Sequence, residues 1–201
     1  MIQYFFTICV SFLSYLAFSQ AGYEAGYIIT NKGDTIRGQI KDRKYVASPA
    51  NSDKIKFMDA DSKQRKIMPE DIKGYCRKGT VFYRSLPIGI EGKQKFAQIL
   101  EFGEVILFGY TSNSFVSTTK ASLSPASKDK GASSNTEMEY FFQKRKDLNS
   151  LMKVKREKFE SVSLFYFKDD IELIKKIEAK SLKYEDIRLV VQLYNEFTAK
   201  K

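Results

Sequence analysis

Ser-x-x-Lys, the spacing that lets a lysine amine activate a serine hydroxyl in the penicillin-binding enzymes, occurs as Ser117/Lys120, Ser127/Lys130 and Ser150/Lys153. The chain is so rich in both residues that these pairs arise by chance, and the companion Ser-Asp-Asn and Lys-Thr-Gly elements are missing. Asp59/Asp61, Glu70/Asp71 and Asp169/Asp170 are carboxylate pairs of the kind glycosidases set on either side of a bond. Each has a plainer role: turn former, start of a helical turn, helix cap. Trp, a common platform for sugar, is absent. Asp59-Ala60-Asp61-Ser62 offers oxygens to calcium but lacks the glycine pivot and the distal glutamate of a calcium loop. His is absent too, which removes Ser-His and Cys-His catalysis, His metal sites and His-ligated haem together. No catalytic residue, metal site or cofactor is expected.

The elements that would position any chemistry begin after a leader. Residues 2–18 are almost continuously apolar, from Ile2, Tyr4, Phe5 and Phe6 to Leu13 and Leu16. The run is short of the roughly 20 apolar residues of a comfortable bilayer span. It ends in Ala17-Phe18-Ser19-Gln20, which places small side chains at −3 and −1 of a signal-peptidase site. Residues 1–19 therefore read as a cleaved signal peptide, although no Lys or Arg precedes the apolar run. The expectation is an exported protein, periplasmic or at the cell surface, with no transmembrane span after cleavage. Cys9 lies inside the leader, so Cys76 is the single thiol of the mature chain and no internal disulfide can form. Cys76 is expected to be a small apolar core filler.

From Gly26 to about Thr119 the pattern is β. Tyr27–Thr30 and Thr35–Lys41 flank an Asn31-Lys32-Gly33-Asp34 turn, with Ile36, Gly38 and Ile40 on one face and Arg37, Gln39 and Lys41 on the other. Strands follow at 54–57, 63–68, 73–78, 80–85, 94–101 and 105–110, and Pro69-Glu70-Asp71-Ile72 reads as a single helical turn or bend. Phe96, Ile99, Leu100, Phe102, Ile106 and Phe108 are the densest apolar stretch and mark the middle of the sheet. About eight strands on short turns predict an antiparallel meander or a barrel-like roll over residues 20–119. Residues 120–136, rich in Ser, Thr, Lys, Ala and Asn, read as a flexible linker. One strand at 137–143 precedes a mainly helical segment that runs to residue 201. There Leu148, Leu151, Met152 and Lys155 repeat at helical spacing, as do Phe159, Val162, Ser163 and Tyr166. Asp169 with Glu172 reads as a capping box, with Ile171, Ile174 and Ile177 on the buried face. A last helix spans about 185–198. The fold class is thus α+β, an antiparallel β domain followed by C-terminal helices packed on a sheet.

A net charge of +10 favours anionic partners. Arg37, Lys41, Arg43, Lys44, Lys54, Lys56, Lys63, Arg65 and Lys66 crowd the first strands and their loops. Arg37, Lys41, Arg43 and Lys44 are the candidate binding residues on the basic strand face, against the plainer reading of lysines that keep sheet edges soluble. Candidate partners are a lipid head group, an anionic glycan or another envelope protein. Nucleic acid is not expected for an exported chain.

The stretch Gly26-Tyr27-Ile28-Ile29-Thr30-Asn31-Lys32-Gly33-Asp34-Thr35-Ile36-Arg37-Gly38-Gln39-Ile40 resembles the opening of a family of exported Bacteroidetes envelope proteins without assigned function. Pro69-Glu70-Asp71-Ile72-Lys73-Gly74-Tyr75 and Tyr194-Asn195 are similar to that family as well. The resemblance implies an envelope setting and brings no catalytic residues with it. The sequence therefore predicts a non-catalytic binding module, with a carboxylate-dependent hydrolase of an envelope glycan as the alternative.

Overall fold

The structure, a computed structural model, describes residues 22–41, 54–115 and 134–201, with the backbone alone for 112–115 and 134–136. The leader 1–19, most of the expected linker, Arg43 and Lys44 lie outside the described residues. The architecture is α+β. Ten strands are followed by three C-terminal helices: β1 Glu24–Thr30, β2 Thr35–Lys41, β3 Ile55–Met58, β4 Gln64–Ile67, β5 Ile72–Arg77, β6 Val81–Leu86, β7 Lys95–Glu101, β8 Val105–Phe115, β9 Ser134–Lys144, β10 Asp147–Val154, α1 Phe159–Phe167, α2 Ile171–Glu178 and α3 Ile187–Ala199. The chain divides into two compact units, 1–95 and 96–201. The division falls at the start of β7, so four strands belong with the helices.

The first unit is antiparallel and runs β6-β5-β1-β2-β3-β4. Its strands do not return on themselves, so it is an open sheet and not a barrel. The β1–β2 hairpin closes where Gly33 takes φ +101°, a conformation that costs glycine least. Gly33 N–H donates to the Thr30 carbonyl and Thr30 N–H to that of Asp34, both at 2.9 Å. A 3₁₀ turn at Pro69–Asp71 leads into β5, which pairs with β1. The Asp71 carboxylate caps this turn by accepting from Met68 N–H at 2.8 Å. Asn31 Nδ2 donates to the Glu70 carbonyl at 2.8 Å and ties the hairpin turn to the bend.

Ile28, Ile40, Ile55, Phe57, Met58, Ile67, Ile72, Tyr75, Cys76 and Leu86 are the buried apolar side chains of this unit. Gly38 is required by packing. A Cβ there would lie 2.3 Å from the Met58 carbonyl oxygen and 2.6 Å from the Phe57 ring. Cys76 is a fully buried filler on β5.

In the second unit β10-β9-β8-β7 form an antiparallel meander. Val105, Leu107, Phe142 and Val154 pack with Phe159, Val162, Tyr166, Phe167, Leu173, Ile177, Ile187, Val190, Val191 and Tyr194 of the helical segment. This is the sheet–helix core that the apolar periodicities require. Phe142 meets Tyr166 and Phe167 edge-on, each at 5.3 Å. The Asn195 amide reads the edge of β8, accepting from Val105 N–H at 3.0 Å and donating to Val105 C=O at 2.9 Å. Gly103 makes room for it, since a Cβ there would fall 2.3 Å from Asn195 Cγ.

Four local expectations are corrected in this unit. Residues 148–154 form strand β10 and not a helix. Val154 stands opposite Tyr140, and Met152 opposite Phe142. The register slips between Asp147 and Met152, which breaks a simple alternation, and pairing with β9 makes the segment a strand. Backbone pairing extends β9 back to Ser134, within the stretch expected as linker. The cap of α2 is Asp170, whose carboxylate accepts from Leu173 N–H at 3.0 Å. Leu173 and Ile177 are buried and Ile174 partly so, while Ile171 is 66% exposed. Phe102, expected inside the sheet, follows the last residue of β7 and is 62% exposed.

Candidate functional site

The basic strand face takes a definite form in the first unit. Lys41 on β2 stands opposite Lys56 on β3, and Lys56 opposite Lys66 on β4. Cross-strand partners share a face, so three lysines form one row across three strands. At a strand spacing of about 4.8 Å, the row spans about 10 Å. Lys56 and Lys66 are exposed, and neither has an ion-pair partner among the described residues. Tyr23 lies beside the row. Its ring centroid is 5.4 Å from Lys41 Nζ, and its hydroxyl accepts from Gln64 Nε2 on β4. Arg37 is exposed two residues' alternation further along β2, opposite Tyr27, and shares the face of Lys41.

Arg65, next to Lys66 in β4 and opposite Phe57, lies on the other face of the sheet. Its guanidinium donates to Asp59 Oδ2 at 2.7 Å. Asp59 Oδ1 accepts from the backbone N–H of Asp61 at 3.1 Å and of Lys63 at 2.9 Å. The Arg65 bond foremost, helped by these backbone donors and opposed by burial, holds the Asp59 carboxyl below its ordinary range. Asp59 thus fastens the β3–β4 turn through Oδ1 and β4 through Oδ2.

The second unit carries a cleft of about 560 Å³ where β9 and β10 meet the 3₁₀ turns Arg156–Lys158 and Tyr184–Asp186. Its lining mixes Glu137, Glu139, Glu157 and Glu185 with Lys153, Lys155 and Arg156 around Tyr140 and Tyr184. The tyrosine rings meet edge to face at 5.8 Å, and Phe159 backs Tyr184 at 6.1 Å. Lys153 Nζ pairs with Glu139 Oε1 at 2.8 Å. Arg156 pairs with Glu185, and its guanidinium carbon lies 4.8 Å from the Tyr184 ring centroid. The Arg156 bond draws the Glu185 carboxyl below its ordinary range. Burial pushes the Tyr184 hydroxyl up, and the negative charges of Glu137 and Glu139 add to the effect.

The other expected groups have structural work. Ser150 and Lys153 do not form a serine–lysine pair, since Lys153 Nζ is bound to Glu139 Oε1 at 2.8 Å. Ser150 Oγ instead accepts from Lys144 N–H at 2.7 Å and donates to the Asp147 carbonyl at 2.6 Å. Asp169 accepts from the Tyr194 hydroxyl at 2.9 Å and from Lys201 Nζ at 3.2 Å. Of the four candidate binding residues, Arg37 and Lys41 share one face, and Arg43 and Lys44 lie outside the described residues. Lys56 and Lys66 complete the row, and only strand register reveals them as its members. The cleft left no local signal, because Tyr140, Arg156 and Tyr184 come from separate elements. Among the described residues no helix is long and apolar enough to cross a membrane. Comparison of the chain with known protein families, curated proteins and solved structures finds no match.

Proposed function

We propose that this chain is a non-catalytic binding module of the bacterial envelope, periplasmic or at the cell surface, that holds an anionic ligand on the row Lys41, Lys56 and Lys66 with Arg37 beside it. The observation that carries the reading is the register itself. Like charges set directly opposite on neighbouring strands repel, and an anion laid across them relieves that repulsion. The shared chemistry of the ligand is a line of negative charges, as a membrane of anionic head groups or an acidic glycan presents. The leader at residues 1–19 supports the envelope setting, and so does the resemblance to exported Bacteroidetes proteins.

The test is attachment of the purified protein to phosphatidylglycerol vesicles, to phosphatidylcholine vesicles and to a soluble polyuronate, with and without added salt. Attachment to one of the two anions, weakened by salt, is expected, and which anion it is names the source. The Lys56→Glu/Lys66→Glu double variant should lose at least about tenfold, since each basic residue near an anionic surface contributes about 1 kcal/mol. Equal attachment by wild type and double variant, or attachment to neither anion, would overturn the reading. In the latter case an envelope protein is the remaining partner.

The glutamates of the β9–β10 cleft are what favours the alternative, a carboxylate-dependent hydrolase acting on an envelope glycan. An acid catalyst requires a carboxyl pushed up towards neutrality, and Arg156 pushes Glu185 the other way. Release of reducing ends from a glycan, abolished by Glu157→Gln, would put the hydrolase in place of the binding module.

A further inference from the structure

We infer that the β9–β10 cleft is a second ligand site, that its ligand is an arginine-bearing extended segment of another polypeptide, and that Arg156 holds the ligand's place until it arrives. The inference stands apart from the lysine row, which belongs to the other unit.

Four glutamates line one concave surface of a chain whose net charge is +10. Of the cations beside them, Lys153 is tied to Glu139. Arg156 then shows what the remaining space accepts. A guanidinium is held there between the Tyr184 ring face and the Glu185 carboxylate. The charge of Glu137 reaches the same guanidinium. Ring face and carboxylate together are the general recognition chemistry for such a cation.

The resident cation is lightly held. Its side chain is 65% exposed and that of Glu185 57%, and exposed ion pairs are weak. It sits at the start of a 3₁₀ turn outside any helix. A cleft of about 560 Å³ is also far larger than one guanidinium and lies within the range of ligand sites. β10 is the outermost strand of its unit, so an extended backbone can be laid beside the cleft while its arginine enters. Entry exchanges one guanidinium for another at Glu185 and Tyr184 and releases Arg156 to solvent. No bond is made or broken.

The experiment is calorimetric titration of the whole protein with an arginine-glycine pentapeptide, and with a glutamate-glycine pentapeptide beside it. Wild type should bind the arginine peptide weakly. Arg156→Ala should bind it about tenfold more tightly, because one exposed ion pair and one cation–ring contact no longer compete. Arg156→Lys keeps a competing charge and should stay near wild type. Glu139→Gln/Glu185→Gln should bind no arginine peptide. Attachment of Arg156→Ala to anionic vesicles should match that of wild type, which separates this site from the lysine row and reports a folded protein. If Arg156→Ala binds the arginine peptide no better than wild type does, the inference fails. Preference of wild type for the glutamate peptide would also overturn it, since Arg156 would then be the recognising group and not a stand-in.

Discussion

On β2–β4, Lys41, Lys56 and Lys66 face one another with like charges. At the β9–β10 cleft, Lys153 and Arg156 are each matched to a glutamate. On the first surface, Lys56 and Lys66 have no ion-pair partner among the described residues, so an anion from outside can settle on them. In the second, two cations already hold a glutamate each, and a ligand cation at Glu185 must displace Arg156. An anion should therefore settle on the row without displacing any group, with an affinity that falls as salt rises. A ligand of the cleft has to compete, and its affinity should rise when the resident cation is removed. The difference also explains why net charge predicts one surface and is silent about the other.

The supports of the two surfaces differ as well, and that gives the largest expected effect. The cleft rests on a sheet–helix core in which Phe167 is fully buried and meets Phe142 at 5.3 Å and Tyr194 at 4.8 Å. Phe167→Ala should cost about 3–5 kcal/mol of stability. The row rests on a sheet whose strands approach closely at Gly38. Gly38→Ala forces a methyl against the Met58 carbonyl and the Phe57 ring and should cost about 1–3 kcal/mol. Urea denaturation followed by tyrosine fluorescence checks both. If the two units unfold separately, each variant should move a different transition. Movement of one shared transition by both variants would show that the two surfaces cannot be perturbed independently.

Neutralising a single lysine should have opposite signs in the two regions. Lys56→Gln removes the middle charge of the row and should stabilise by about 0.2–1 kcal/mol. Lys153→Gln breaks the pair with Glu139 and should destabilise by a similar amount, about 0.2–1 kcal/mol. Thermal melts at low salt give both signs, and added salt should shrink both. If Lys56→Gln destabilises, the lysine row is internally compensated and the contrast with the cleft disappears.

How much of this was legible in the sequence follows from the range of the forces involved. The β1–β2 hairpin, the Pro69–Asp71 turn and the strands to β8 were readable because alternation, Gly33 and Pro69 act within a few residues. β10 was not readable, because a register slip between Asp147 and Met152 breaks the alternation a strand would show and only pairing with β9 reveals it. Asp169 and Asp170 are chemically alike, so choosing between them needed Tyr194, which claims Asp169 from a helix 25 residues away. Arg37 and Lys41 could be placed on one face by parity within a single strand. Placing Lys56 and Lys66 in line with Lys41 required cross-strand register, which parity does not supply. The cleft depended on Tyr140, Arg156 and Tyr184 meeting in three dimensions, and no spacing announces that.

The smallest effect expected concerns the turn beside the row and how it responds to acid. Asp59 accepts from the Arg65 guanidinium and from the backbone N–H groups of Asp61 and Lys63. Its carboxyl titrates lower in the folded chain than in the unfolded one, where about 3.9 is usual. A depressed carboxyl binds fewer protons folded than unfolded, so its stabilising contribution is complete above about pH 5 and is lost as pH falls through the folded value. The amide shifts of Asp61 and Lys63 should therefore titrate together, with a midpoint below about 3.9. Arg65→Ala should raise that midpoint, because the largest influence depressing it is gone, and should do so without moving the titration of Glu185 in the other unit. If the shared midpoint of Asp61 and Lys63 lies at or above the unfolded value, Arg65 does not hold the Asp59 carboxyl down in the folded chain.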